Sequence, residues 1–356
     1  MKKLKVIVCG STFGQFYMEA LLRNPGCFIF AGIMGNGSER TLNCSKNYGV
    51  PIYHRTWELP EDIDLACVVV RSNVLGGKGT ELAVQLLERG IHVIQEHPSH
   101  PKDLETCFKI AQKNNLSYQV GNLYSNMKGI RKFIQCANYM NQADELVHIH
   151  LAFATQVSYP LIKILVSSLP GARNWNLSER AEVNSPFGVW TAYLQDIPIS
   201  MEVHNEVVHT DPNNHMYLLH NITYIYQSGR LVLEDTFGPL LWIPRMNIPS
   251  ECSERGSVKG EYPQAVKEQA HVLLFEEEST FEQILTEKWP QAIGEDLMAI
   301  YQEISSKKKD AKKIQQEILC ARKWSEITKD IGYPRESRAG QYKAVDVEKL
   351  LQICRE

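Results

Sequence analysis

Val93-Ile94-Gln95-Glu96-His97-Pro98 is an apolar run that stops at an acid, an imidazole and a proline. A parallel strand buried on both faces reads this way, and its carboxyl end is where open α/β sheets bind ligands. His97 is therefore the first catalytic candidate. Its plainer alternative is a residue that caps the strand while Pro98 ends it.

Upstream, the pattern that such a strand requires is present. Leu4 to Val8 is β-branched and apolar, and Cys9-Gly10-Ser11-Thr12-Phe13-Gly14 leads directly into Gln15 to Leu22 with helical spacing. A glycine-rich turn at a helix start lets backbone N–H groups approach a pyrophosphate. The fingerprint G-x-G-x-x-G is degenerate here, its glycine places reading Cys9, Ser11 and Gly14. A second strand, Phe28 to Met34, runs into Gly35-Asn36-Gly37-Ser38-Glu39-Arg40, the position that meets the adenosine ribose in a Rossmann unit. Ser38 and Arg40 offer the donors that a 2′-phosphate needs, whereas Glu39, turned inward, would bind a ribose hydroxyl and favour NAD. A third apolar strand ends in Arg71-Ser72 and the loop Gly76-Gly77-Lys78-Gly79-Thr80, followed by the helical stretch Glu81 to Gly90. Repeated β-α alternation predicts a doubly wound parallel sheet with Gly10, Arg71, Ser72 and His97 along one edge. The strand Leu116 to Gly121 adds Tyr124 to that edge, as a second proton donor or as packing.

The 356 residues suffice for two domains, set at 1–122 for dinucleotide binding and 123–356 for substrate and dimerisation. A net charge of −3 and the absence of a basic stripe argue against nucleic acid. Lys307 to Lys313 is the one basic run, expected on a solvated helix face or as a dock for an acidic protein. Nine scattered cysteines without a C-x-x-C pair fit a reducing cytoplasm rather than a disulfide or zinc framework. Met1 to Val8 reads as a first strand rather than a signal peptide, and no apolar stretch approaches the ~18–20 residues of a membrane span.

From Glu145 the pattern changes to strands at Leu146–Thr155, Ser200–Val208, Tyr217–Tyr226, Arg230–Phe237 and Ala270–Phe275, with Gln227-Ser228-Gly229 as a hairpin turn. An α+β domain with an open, largely antiparallel sheet is expected. Tyr159 to Val166 reads as a helix whose N-terminus faces the cleft, and helices at Trp289–Ser305 and Ala311–Ile331 are placed to pack back on the first domain. His148 and His150 share one strand face without a carboxylate to complete a metal set, so no metal is expected.

These motifs together resemble the Gfo/Idh/MocA oxidoreductases. Most members carry Glu-Lys-Pro where this chain has Glu96-His97-Pro98. That departure, with Phe13-Gly14-Gln15-x-Tyr17, Gly37-Ser38-x-Arg40, Val70-Arg71-Ser72, Gly76-Gly77-x-Gly79-Thr80 and Phe237-Gly238-Pro239, resembles the family's thiazolinyl imine reductases of siderophore assembly. The likeness is strong over roughly residues 4–130 and fainter beyond. It implies that NADPH delivers hydride to the C=N carbon of a thiazoline carried as a thioester on a nonribosomal peptide synthetase carrier domain, and that the enzyme is a homodimer.

The residues suit that chemistry independently. Hydride addition develops negative charge on the imine nitrogen, which needs a positioned proton donor, and an imidazole titrates near neutrality. His97 fills the role, with Tyr124 as alternative donor or ring-orienting group. Glu96 is assigned to the cofactor side, with anchoring of the His97 loop as its other role. Gly10, Ser11, Thr12, Phe13, Gly14, Gly37, Ser38, Arg40, Arg71 and Ser72 complete the cofactor set. The competing readings are an NADP-dependent sugar or cyclitol dehydrogenase of the same family, disfavoured because Ser158-Tyr159-Pro160-Leu161-Ile162 lacks that group's Asp-x-x-x-His pattern, and a non-catalytic NADP-sensing or scaffold protein.

Overall fold

The computed structural model describes residues 2–169, 171, 175–181, 186–253, 259, 261–338 and 345–355. Its first half alternates strands and helices: β1 Leu4–Cys9, α1 Gly14–Leu22, β2 Phe28–Met34, α2 Glu39–Tyr48, β3 Ile52–Tyr53, β4 Leu65–Val68, α3 Gly79–Glu88, β5 His92–Gln95, α4 Pro101–Lys113 and β6 Tyr118–Val120. The strands form a parallel sheet in the order β3-β2-β1-β4-β5-β6. Helices on both faces leave no polar side for the central strands, so Val6 to Cys9 and Leu65 to Val68 are fully buried. The strand order reverses between β1 and β4, which opens the crevice at their carboxyl ends.

The second half contains α5 Leu123–Asn126, α6 Lys128–Ala143, β7 Leu146–Ala154, α7 Ser158–Ser168, β8 Trp175–Ala181, β9 Phe187–Leu194, β10 Ile197–His204, β11 Glu206–Val207, β12 His220–Tyr226, β13 Gly229–Leu233, β14 Leu240–Pro244 and β15 Val272–Phe275. Among the described residues its sheet runs β15-β14-β13-β12-β7-β10-β9-β8. The β7–β10 pair is parallel and every other neighbouring pair is antiparallel. Ile149, Leu151 and Phe153 alternate into the core beneath α6 and α7. His148 and His150 stand on the other face, where both meet the Ser200 hydroxyl, at 3.0 and 3.1 Å. β11 pairs separately with β16, Arg335–Glu336.

Three expectations shift. The sheet includes β8 and β9, which the sequence reading passed over, although Trp190, Ala192 and Leu194 alternate inward along β9. Tyr217 lies before β12 rather than in it, and β13 stops at Leu233. The basic run does not line one helix face. Lys307 ends the helix Trp289–Ser306 with φ 55°, and Asp310 caps the helix Ala311–Ile331. Lys309 and Lys313 reach back to the Ala111 carbonyl and the Gln119 side chain, at 3.4 and 3.0 Å. Among the described residues, no helix is long and apolar enough to cross a membrane.

The two C-terminal helices join the halves. Trp289 packs edge-on against Phe16 of α1, and the buried Asp296 accepts the Asn122 N–H at 2.6 Å, between β6 and α5. Burial pushes the Asp296 pKa up to about 6, from an ordinary value of 3.8. A raised carboxyl favours the folded state below its unfolded pKa, and that contribution is lost as pH rises through about 6. The shift corresponds to ~3 kcal/mol. Between about pH 4 and pH 8, Asp296→Asn should therefore gain roughly that much stability relative to the parent. Urea unfolding at both pH values checks this, since the constant cost of the lost oxygen cancels in the comparison.

Candidate active site

Gly10 begins the site. Its φ of 95° is open to glycine, and a Cβ there would sit 2.5 Å from the Val69 carbonyl. The turn is therefore pressed against the end of β4, with Gly14 against Val8, and α1 starts without a side-chain cap. Uncapped N–H groups beside a bare Cα form a cradle that fits a dinucleotide pyrophosphate. The Phe13 ring packs 5.1 Å from Phe16 and 5.6 Å from Trp289.

The β2 tip comes to the same place. Thr41 links the two loops, its hydroxyl 2.9 Å from Ser11 Oγ and 3.0 Å from Ser38 Oγ. Arg40 donates to Thr12 Oγ1 at 2.9 Å, so its guanidinium lies over the turn, and Gly37 takes φ 74° beside His54. Glu39 is exposed in the first turn of α2. This donor set fits an adenosine 2′-phosphate. Arg40→Ala should raise KM for NADPH by ~10- to 100-fold, the equivalent of about 1.5–3 kcal/mol for a charged hydrogen bond, and leave KM for NADH nearly unchanged. Initial-rate kinetics with both cofactors checks it, and equal effects would reject the role.

Along the edge, Ser72 is buried and its hydroxyl donates to the Pro98 carbonyl at 2.5 Å. It ties the β4 loop to the end of β5, while Arg71 is exposed. Gly77 and Gly79 let the following loop fold onto Arg71 and Val70, whose carbonyls would lie 2.1 and 2.2 Å from added Cβ atoms.

His97 is nearly buried, with 11% of its side chain exposed. Its Nδ1–H donates to Glu96 Oε1 at 3.0 Å and to the Gly121 carbonyl at 3.1 Å. Burial by itself lowers the His97 pKa, but the adjacent Glu96 carboxylate and the Gly121 carbonyl outweigh it, so the imidazole titrates above its ordinary value of 6.5. The ring stacks on Tyr159 from α7, with centroids 5.2 Å apart and planes 8° from parallel. Glu96 Oε1 takes His97 and Oε2 takes the Tyr17 hydroxyl at 2.5 Å, contacts that suit the loop-anchoring one of its two expected roles.

Tyr124, on α5, sets its ring edge-on to His220 at 5.5 Å. Burial, then the Glu96 and Asp235 carboxylates, raise its pKa, so it stays a neutral donor. His220 is itself neutral, its pKa lowered to about 4 by burial. Its Nε2–H donates to the Val157 carbonyl and its Nδ1 accepts from Thr236, both at 2.9 Å. Beneath the Tyr159 ring, α7 also carries Lys163, buried in an ion pair with Glu317 of the helix Ala311–Ile331.

The edge thus joins the Gly10 turn, Ser72, Glu96-His97 and Tyr124. Sequence reasoning missed Tyr159, Lys163, Glu317, His220 and Trp289. It quoted Tyr17 without giving it a role.

A dinucleotide cradle at the β1/β4 switch point and an ionisable pair at the carboxyl end of β5 on the same edge fit an NAD(P)-dependent oxidoreductase. Residues 4–122 match the oxidoreductase family with an NAD-binding Rossmann fold, and residues 142–243 match the thiazolinyl imine reductase Irp3-like C-terminal domain. Over residues 4–122 the chain belongs with the Gfo/Idh/MocA oxidoreductases. No curated protein sequence matches it. Among solved structures it is similar to KijD10, a 3-ketoreductase from Actinomadura kijaniata in complex with NADP and TDP-benzene. That likeness has TM-score 0.67 and 12% identity, covering 95% of this chain and 100% of the other. It is also similar to the biliverdin reductase of Synechocystis sp. PCC 6803 in complex with biliverdin and NADP+, with TM-score 0.61 and 12% identity over 90% and 96% of the chains. At such identities these structures speak for the fold.

Proposed function

We propose that the protein reduces the C=N bond of a thiazoline to a thiazolidine at the expense of NADPH, on a siderophore intermediate held as a thioester by a nonribosomal peptide synthetase carrier domain. The work is cytoplasmic and done by a homodimer. The observation that carries the reading is His97, an imidazole where most of the family has lysine, held through Nδ1 by Glu96 and Gly121 in a chain whose second half matches an imine reductase domain.

A reduced nicotinamide bound at the Gly10 edge supplies the hydride. With Nδ1 committed to its two acceptors, His97 presents Nε2 to the substrate. As charge develops on the thiazoline nitrogen, Nε2–H gives up its proton, and the Glu96 carboxylate steadies the cationic form that precedes the transfer. Tyr124 remains protonated and orients the ring. Pro98 is held by Ser72, which keeps the loop that carries the donor fixed against the cofactor edge.

A sugar or cyclitol dehydrogenase would need a base on α7. That helix instead turns Tyr159 toward His97 and buries Lys163 against Glu317. Purified protein with NADPH and a synthetic thiazoline thioester should consume nicotinamide absorbance. An unchanged absorbance would reject the proposal.

A further inference from the structure

Glu96 has a second partner that the proton-transfer step leaves unexplained. Tyr17 lies on α1, 1% exposed, and its hydroxyl reaches Glu96 Oε2 at 2.5 Å while Oε1 receives His97. The contact requires a glycine at the end of β6. A Cβ on Gly121 would stand 2.6 Å from the Tyr17 oxygen and 3.0 Å from Glu96 Oε2. One backbone position thus supplies the carbonyl that holds His97 and the space that admits Tyr17.

We propose that Tyr17 is a positioning residue that acts through Glu96 to aim the His97 ring, and that Gly121 provides the room for it. The proposal rests on His97 as the proton donor of the reductase reading. A buried carboxylate needs hydrogen-bond donors to stay ionised, and one donor on each oxygen fixes its plane as well as its charge. Without the Tyr17 hydroxyl, Glu96 Oε2 loses its donor and the carboxylate is free to turn away from His97, so the imidazolium loses a fixed counter-charge. Burial, then the Glu96 charge, raise the Tyr17 pKa well above the ordinary phenol value, so it remains a donor at working pH. The other titratable or charged groups acting on His97, Glu96 or Tyr17 include Tyr159 and Lys163 from α7, Tyr124 from α5 and Asp296 from the helix Trp289–Ser306, which bears on Tyr17. Lys163 opposes the imidazolium charge but is already paired with Glu317.

The test needs no substrate. In the full chain, the His97 ring resonance is identified by its loss in His97→Gln and titrated by NMR in the parent, Tyr17→Phe, Glu96→Gln and the double variant. The parent midpoint should lie above 6.5. Tyr17→Phe should lower it by about half a unit to one unit, and the same change on the Glu96→Gln background should lower it no further. Gly121→Ala should reproduce the fall with both side chains present. An unchanged or higher midpoint in Tyr17→Phe, or an equal fall on both backgrounds, would overturn the proposal. A parent midpoint after Gly121→Ala would overturn the claim on Gly121. In the thiazoline assay Tyr17→Phe should lower kcat about 10-fold with KM for NADPH unchanged. No turnover in the parent would sink the reductase reading, while the titration still decides the role of Tyr17.

Discussion

His97→Ala combined with Tyr124→Phe lowers kcat by roughly 10²–10⁴-fold, the range that a positioned general acid supplies, and leaves NADPH affinity within a few-fold of the parent. The asymmetry follows from where the groups stand. The residues suited to phosphate and ribose are Gly10, Ser11, Thr12, Ser38 and Arg40; Arg40 donates to Thr12, and Thr41 bridges Ser11 and Ser38. His97 and Tyr124 lie toward the second sheet, against Tyr159 and His220. Steady-state kinetics with fluorescence titration of NADPH separates the two quantities. Turnover at the parent rate would mean that solvent or the substrate itself supplies the proton.

Lys163→Met has the largest expected effect on stability. Removing one member of a buried ion pair leaves the other charge without compensation and costs about 3–5 kcal/mol. The pair is deeply buried, with 10% of the Lys163 side chain and 4% of the Glu317 side chain exposed. Glu317 Oε2 already lacks a hydrogen-bond partner among the described residues, so its remaining oxygen depends on Lys163. Replacing both, Lys163→Met with Glu317→Leu, should recover most of the loss, because an apolar pair of similar volume carries no desolvation penalty. Urea unfolding of the three proteins measures it. A single variant as stable as the parent would show that water reaches Glu317.

Much of the cofactor half was legible in sequence because its signals are local. A β-branched run, a glycine turn and a helix of 3.6-residue period lie within about 20 residues of one another, and the parallel sheet follows from their repetition. His97 was legible for the same reason, since the strand that carries it stops abruptly at charge. What surrounds His97 was not. Tyr17 meets Glu96 only after α1 and β5 pack across β1 and β4, and Lys163 meets Glu317 only when the helix Ala311–Ile331 folds back over α7. Glu96 illustrates the limit most clearly. As an acid at a strand end it suited a ribose equally well, and a phenol 79 positions away in sequence takes one of its oxygens. The antiparallel sheet was read in outline because alternation is a weak signal per strand. Gly188 weakens the sequence signal near the start of β9, where the register is set by the hairpin with β10.

The most direct measurement follows an isotope. With NADPH deuterated at the transferable position of the nicotinamide and a synthetic thiazoline thioester, mass spectrometry should find a thiazolidine with one deuterium, on the former C=N carbon. Recovery of the thiazoline at its original mass, with the cofactor still reduced, would contradict the account.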